Sequence, residues 1–298
     1  MWGGCALQVV VPTKNEALHL ASVIDGMPPE VDRIVVVDDG STDGSATVAR
    51  TADDQHRVDV LEAPGHGVGA AVATGYAHAL EAVADNALIA VMDGDGQMDP
   101  EDLLPMCDHL LLHDLDVVKG DRRGGRGHRA IMPVRRRWAN AGMSLLTGLA
   151  SGRSVPDAQC GFVVVRASVL RQTADDPVWP GYGYVNHRFI RWSRHGFRVG
   201  HYPVSTRYGN EQSGVRPLRF LIAVGRMLVV EHHARAWSSM INGPHRLTML
   251  AAFFLYLGGW VLGATGAWHW MPVAWLGAHL LDRTAHRVRQ ATTSSQAA

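Results

Sequence analysis

Neither sign of charge prevails in this chain. Lys and Arg number 28, Asp and Glu number 28, and the formal net charge over 298 residues is zero. The global charge therefore says nothing about nucleic acid. Cysteine is scarce as well: Cys5, Cys107 and Cys160 are too few and too scattered for a disulfide framework or a zinc site, which fits a reducing compartment. The opening MWGGCALQVVVP has no basic segment and too short an apolar run for a signal peptide. No internal repeat is visible, and low complexity is confined to the final ATTSSQAA, residues 291–298, expected to be disordered. The 16 histidines show no H-E-x-x-H spacing and are expected at the surface or at a membrane interface.

What is present is an alternation. Apolar runs at 8–11, 34–37, 57–61 and 87–92 read as strands, and helical patterns follow at 17–27, 46–52 and 68–84. Strand, turn and helix in that succession predict an α/β fold with a mostly parallel sheet. In such sheets ligands bind beyond the carboxyl ends of the strands, where strand order switches. Three polar clusters fall at such ends: 12–16, Asp38-Asp39, and 93–97. The turn Gly65-His66-Gly67-Val68-Gly69 matches neither the dinucleotide fingerprint nor the phosphate loop, so its glycines are expected to let a helix pack tightly on the sheet.

The cluster at 93–97 carries the most chemistry. Asp93, Asp95 and Gln97 alternate with Gly94 and Gly96 after an apolar strand. Three oxygen-bearing side chains suit Mg²⁺ or Mn²⁺ carrying phosphates better than zinc. The competing reading is a polar loop in which Asp99-Pro100-Glu101 caps the next helix.

Six motifs occur in order: VVVPTKNEA, VVVDDGSTDGS, GHGVGAAVATG, MDGDGQMDP, VVKGDRR and DAQCGFVVVR. Over residues 8–213 the chain resembles the family 2 glycosyltransferases with the GT-A fold, and within them the dolichol-phosphate mannose synthase-like group. The resemblance implies a Rossmann-like, mostly parallel sheet flanked by helices. It implies inverting transfer of a hexose from a nucleoside-diphosphate sugar to a polyprenyl phosphate, with Mg²⁺ or Mn²⁺ as cofactor. Pro12, Lys14 and Glu16 fall where that family meets the nucleobase, and Asp38 and Asp39 where it holds base and ribose. Asp93, Asp95 and Gln97 fall on the metal and diphosphate site, Arg122 on the arginine that meets the acceptor phosphate, and Asp157 with Gln159-Cys160-Gly161-Phe162 on the segment closing the sugar pocket. Asp93, Asp95, Arg122 and Asp157 are thus the implied catalytic set, with Asp93 also touching the donor.

The chain departs from the family's pattern in three places. The segment 181–187 has no carboxylate where relatives that act on hydroxyls carry a base, which favours an acceptor already ionised. Asp157 stands as the alternative base for a hydroxyl of a lipid or polysaccharide. Asn186 replaces a glutamate common among relatives, and Gly214 replaces a lysine, for which Arg207 and Arg216 are the candidate substitutes at the acceptor phosphate.

Between 121 and 138 lie seven arginines interleaved with glycine, matched to phosphate oxygens by their forked geometry or else simply solvated. They lack the aromatic interleaving of a nucleic-acid surface. Residues 217–237 are helical in pattern, suited either to a membrane surface or to packing on the catalytic domain. Residues 247–281 hold no Asp, Glu, Lys or Arg. They read as one span, as a hairpin turning near Thr265 and His269, or as a buried soluble helix; basic clusters on both flanks favour the hairpin. The expected organisation is a catalytic domain over 1–215, interfacial and membrane helices over 216–290, and a tail over 291–298. The corresponding place is the cytoplasmic face of a membrane, serving cell-envelope glycan synthesis, with a homo-oligomer left open.

Overall fold

The computed structural model describes residues 1–52, 57–63, 65–81, 83–123, 134–206, 217–242 and 246–282. Runs of Val and Ile, whose branched side chains favour a pleated surface, form β1 (Leu7–Thr13), β2 (Arg33–Asp38), β3 (Val58–Glu62), β4 (Leu88–Val91), β5 (Val117–Asp121), β6 (Val163–Arg166) and β7 (Val199–Pro203). They join in one sheet of order β3-β2-β1-β4-β6-β5-β7. β1 is parallel to β2 and β4, and β2 to β3. β6 runs antiparallel to both β4 and β5, and β7 runs parallel to β5.

Chain order moves outward from β1 to β3, then returns to place β4 on the other side of β1. The switch in strand order therefore lies between β1 and β4. At the carboxyl ends of these strands lie 12–16, whose first two residues close β1, and 93–97, two of the three polar clusters expected at such a place.

Both faces of the sheet are covered, which is why its strands read as unbroken apolar runs. On one face Val9, Val11, Ile34, Val36 and Leu88 meet Leu20 and Ile24 of α1 (Ala17–Asp25), Ala49 of α2 (Ser45–Ala52), and Leu103, Met106 and Leu110 of α4 (Leu103–Leu112). On the other, Val10, Val35, Val37, Ile89 and Val91 meet Ala71, Val72 and Tyr76 of α3 (Val68–Ala79). The tightest point on that face is Gly75, where an added Cβ would stand 2.3 Å from Val10 Cγ1 and 3.1 Å from Val37 Cγ2. The short helix Pro100–Asp102 leads into α4, capped by Asp99, whose carboxylate accepts the Glu101 N–H at 3.2 Å. The remaining helices are α5 (Val134–Ser151), α6 (Ala167–Gln172), α7 (Tyr184–His195), α8 (Pro217–Asn242), α9 (Arg246–Ala264) and α10 (residues 271–282). Cys5, Cys107 and Cys160 are all buried and unpaired. Burial pushes the Cys107 thiol up to about 12 and raises that of Cys160.

The chain divides into two compact units, one of Met1–Ser144 with Val155–Leu221, the other of Leu145–Ser154 with the chain from Ile222 on. The sheet belongs to the first. In the second, the apolar run folds as two helices that turn at 265–267, where Gly266 takes a φ of 85°, and pack on each other through Ala252, Tyr256 and Ala278. Gly259 lets α9 approach Trp275, whose indole N–H donates to the Tyr256 carbonyl at 3.3 Å. Arg235 is buried: its guanidinium donates to the carbonyls of Ala150 and Leu149 at the end of α5, at 2.9 and 3.1 Å, and to the Asp282 carboxylate at 2.8 Å. His232 is half-buried. Its ring bonds the Leu149 carbonyl at 3.1 Å and stands edge-on to Tyr256, and burial lowers its pKa to about 4.

The fit at Gly75 yields a stability prediction. Gly75→Ala should lose about 2 kcal/mol from overpacking against Val10. Gly142→Ala, within α5 and with nothing within 4 Å of its added Cβ, should be neutral or gain up to about 1 kcal/mol. Urea unfolding of both variants, compared by midpoint at constant slope, measures this.

Candidate active site

At the end of β1, Pro12 and Thr13 are buried and Lys14 emerges. The Lys14 ammonium donates to the Asp39 carbonyl at 3.0 Å and lies 3.7 Å from its carboxylate. At the end of β2, Asp38 accepts the Ser41 N–H at 2.7 Å and so fixes the acidic turn from within. Asp39 accepts the Gly67 N–H with both oxygens, at 3.2 and 3.0 Å, which pins the glycine turn to the strand end. Gly67 has a φ of 101°, and its added Cβ would stand 2.7 Å from the Pro180 carbonyl. The turn thus packs against backbone at 179–181, and the Gly69 N–H donates to Pro180 at 2.7 Å. The close approach made by these two glycines is thus to the 179–181 backbone and not to the sheet, which α3 meets further on at Gly75.

At the end of β4, Asp93 and Asp95 stand on a turn whose Gly94 presses on β1: an added Cβ there would lie 2.8 Å from Thr13 Oγ1. Asp95 accepts the Gln97 N–H at 3.0 Å. Asp93 is pushed up to about 7, first by burial, then by the negative charge of Asp95 and, less, of Glu16, while Arg122 pulls it down. Two carboxylates side by side, one of them raised by the charge of the other, are a donor set suited to a hard divalent cation. Among the described residues no three His, Cys, Asp or Glu side chains group as metal ligands.

These ends open into one cleft of about 720 Å³, lined by Pro12, Lys14, Glu16, Asp39, Gly65–Gly67, Asp93, Asp95, Gln159, Gly161, Tyr182, Tyr184 and Phe220 among others. Of the residues singled out in the sequence, Asp38 and Gln97 are not in that lining, and Arg122 and Asp157 stand outside it. Arg207 and Arg216 lie outside the described residues, as do residues 124–133 of the arginine-rich stretch.

Arg122, one residue past β5, is held by Asp157. Its Nε and Nη2 donate to the two carboxylate oxygens at 2.7 and 3.0 Å, and its backbone N–H adds a third bond at 3.2 Å. The Asn140 amide and the Gln159 N–H also donate to Asp157, at 3.0 and 3.1 Å. Asp157 is fully buried, which by itself raises its pKa; the Arg122 hydrogen bonds and charge, with Lys119 and Asn140, hold the carboxyl well below the usual carboxylate range. Lys119 is itself buried and donates to the Cys160 carbonyl, and burial lowers its pKa.

Sequence reasoning missed Tyr184 as a site residue. It opens α7, 23 residues after Gly161 by subtraction of their numbers. Its hydroxyl lies 3.3 Å from the position of an added Gly161 Cβ, which is also 3.2 Å from Asp93 Oδ2. The signal available was the Tyr-Gly-Tyr of 182–184 in the very segment noted for lacking a carboxylate.

A sheet of this order, with paired carboxylates at its switch point and a cleft over the strand ends, defines a GT-A type transferase fold. Glucosyl-3-phosphoglycerate synthase from Mycobacterium tuberculosis, solved with Mn²⁺, UDP and glucosyl-3-phosphoglycerate, has the same fold, with a TM-score of 0.53, 23% identity and coverage of 78% of this chain and 80% of that one. The chain belongs to glycosyl transferase family 2, whose sequence profile matches residues 8–173, and it is a glycosyltransferase. It is 24% identical over 217 residues to the UDP-N-acetylglucosamine–dolichyl-phosphate N-acetylglucosaminyltransferase of Methanococcus voltae, covering 68% of this chain and 86% of the relative. It is 28% identical over 177 residues to the dodecaprenyl-phosphate galacturonate synthase of Rhizobium johnstonii, covering 56% of this chain and 49% of the relative.

The Asp93–Asp95 pair predicts a pH-dependent response to metal. The folded chain keeps a proton on Asp93 between the ordinary carboxylate value of about 4 and about 7, so this group's stabilisation falls as pH rises through that window. A divalent cation favours the ionised form and meets no competing proton above it. The rise in melting temperature caused by Mn²⁺ should be larger at pH 8 than at pH 6, and Asp93→Asn should flatten the difference.

Proposed function

We propose that this glycosyltransferase moves a hexose from a nucleoside-diphosphate sugar, with inversion, to a polyprenyl phosphate at the cytoplasmic face of a membrane. The observation that carries the reading is the state of Asp157. It is buried, ionised and engaged on both oxygens by Arg122, Asn140 and Gln159, so it positions Arg122 and does not accept a proton. A hydroxyl acceptor needs such a base; a phosphate monoester arrives ionised and needs only a cation to orient it. The Arg122 guanidinium, partly exposed and held rigidly by Asp157, supplies that cation. The names of the two relatives, one dolichyl-phosphate and one dodecaprenyl-phosphate, agree with such an acceptor.

Pro12, Lys14, Glu16 and Asp39 line the end of the cleft assigned to the nucleoside, with Asp38 shaping the turn behind them. Asp93 and Asp95 would hold Mg²⁺ or Mn²⁺, with Gln97 beside them on the same turn. When bound, the cation neutralises charge developing on the departing diphosphate. Arg207 and Arg216 are assigned with Arg122 to the acceptor phosphate. The membrane assignment rests on α9, whose mean hydropathy of 1.8 and 19-residue length suffice to cross a bilayer. Its outward apolar side chains, among them Leu247, Phe254 and Val261, agree with lipid contact.

The test is transfer from a radiolabelled nucleotide sugar by the full chain in vesicles carrying polyprenyl phosphate, against the same vesicles with glycan or free lipid alcohol. Label should move only to the phosphate lipid. Asp95→Ala should lower that transfer by about 100-fold or more. Full activity in this variant, or transfer to a hydroxyl instead, would overturn the proposal.

A further inference from the structure

A helix at the surface of a water-soluble domain buries an apolar stripe and shows its polar side to water. α5 does the reverse. Asn140, Ser144, Thr147 and Ser151, spaced four, three and four apart by subtraction of their numbers, form one stripe, and all four are buried. On the other side of the helix Trp138, Leu145 and Leu146 are 73%, 64% and 47% exposed. Gly142 lies between them, and nothing stands within 4 Å of a Cβ added there. Single exposed leucines are ordinary. An apolar patch outside and a polar stripe inside, on one helix, mark a face that meets something other than water.

The inner stripe is polar because it braces the polar segment 156–158. The Asn140 amide donates to Asp157 at 3.0 Å, and the Ser144 hydroxyl donates to the Pro156 carbonyl at 3.1 Å and accepts the Ala158 N–H at 3.0 Å. Asp157 in turn holds Arg122. The outer face carries charge at one end. Arg136 and Arg137 are exposed in the first turn, just before Trp138, and that turn has no acidic residue. Cations at the amino end of a helix work against its dipole, whereas anions there are favoured. Two arginines beside an indole, followed by leucines, match a layer with anionic phosphates at its surface and hydrocarbon beneath.

We infer that α5 lies in the surface of an anionic phospholipid bilayer, with Trp138, Leu145 and Leu146 facing the acyl chains and Arg136 and Arg137 the head groups. The inference rests on the membrane assignment given above and adds a second contact, on a helix that the assignment does not use. The helix is then shared between two tasks. One face holds the Asp157–Arg122 pair and the other touches lipid, so the two are separated by about one helix diameter, roughly 10 Å. That distance keeps Arg122 near the head-group layer, where the phosphate of a membrane-held acceptor stands.

The test uses the full chain reconstituted with vesicles. Leu145→Cys, labelled with the fluorophore NBD, reports on the outer face of α5. Leu18→Cys, exposed on α1, is the control, and the native cysteines are buried. In vesicles containing phosphatidylglycerol, a doxyl group near the head of the acyl chain should quench the label at 145. Aqueous iodide should quench it about threefold less, or weaker still, than the label at 18. Adding Arg136→Glu with Arg137→Glu, or using phosphatidylcholine alone, should cut the lipid quenching by about half or more. Quenching indifferent to both changes would overturn the choice of an anionic surface. A label at 145 that stays open to iodide and untouched by the lipid quencher, on a chain that floats with the vesicles, would overturn the inference and leave the membrane assignment standing. So would a label shielded from both quenchers on a chain that crosslinks to a second copy through position 145. A chain that floats with no vesicle would overturn the membrane assignment, and the inference with it.

Discussion

The architecture of the cleft follows from one electrostatic constraint, the placing of Asp93 and Asp95 on a single short turn at the end of β4. Their repulsion in a half-buried space must be offset by positive charge. The protein supplies a share of it at a distance. Arg122 lowers the pKa of Asp93, Asp157 locks Arg122 in place, and Lys119 bears on Asp157 from the core. Charge of alternating sign thus runs from the cleft inward, each member oriented by the next.

Much of this was legible in the sequence. β1, β2 and β4 appear as Val and Ile runs because both faces of the sheet are covered, and the glycines and aspartates that follow mark where each strand stops. β6 was not legible as antiparallel, because the run Val163–Arg166 presents the same apolar pattern whichever way it is threaded. Its direction is set by pairing partners that lie 72 to 78 residues earlier on β4, for example Val91 with Val163 and Leu88 with Arg166, by subtraction of their numbers. Tyr184 escaped notice because no spacing rule links the first turn of α7 to the end of β4; only the folded sheet brings them to the same glycine.

The second unit shows where hydropathy counting stops. Its apolar content is visible in the sequence, and so is Thr265, near the middle of the run, where the turn falls. Arg235 is not recognisable as an interior residue, because a helix of mixed polarity looks solvated when taken alone. It is interior because α5 ends against it, and His232 beside it is half-buried. The last carbonyls of α5 have no partner within their own helix, and the Arg235 guanidinium satisfies two of them while pairing with Asp282.

The three cysteines acquire a practical meaning from their depth. Cys5, Cys107 and Cys160 are 6%, 0% and 2% exposed, and the Cys107 thiol is held far from ionisation. Thiol chemistry proceeds through the thiolate at an accessible sulfur. The native chain is therefore silent toward maleimides without any of its own sulfurs being removed. A single cysteine introduced at Leu18, which is 92% exposed on α1, would be the one handle for a fluorophore or spin label. It would stand two residues after Glu16, which lines the cleft.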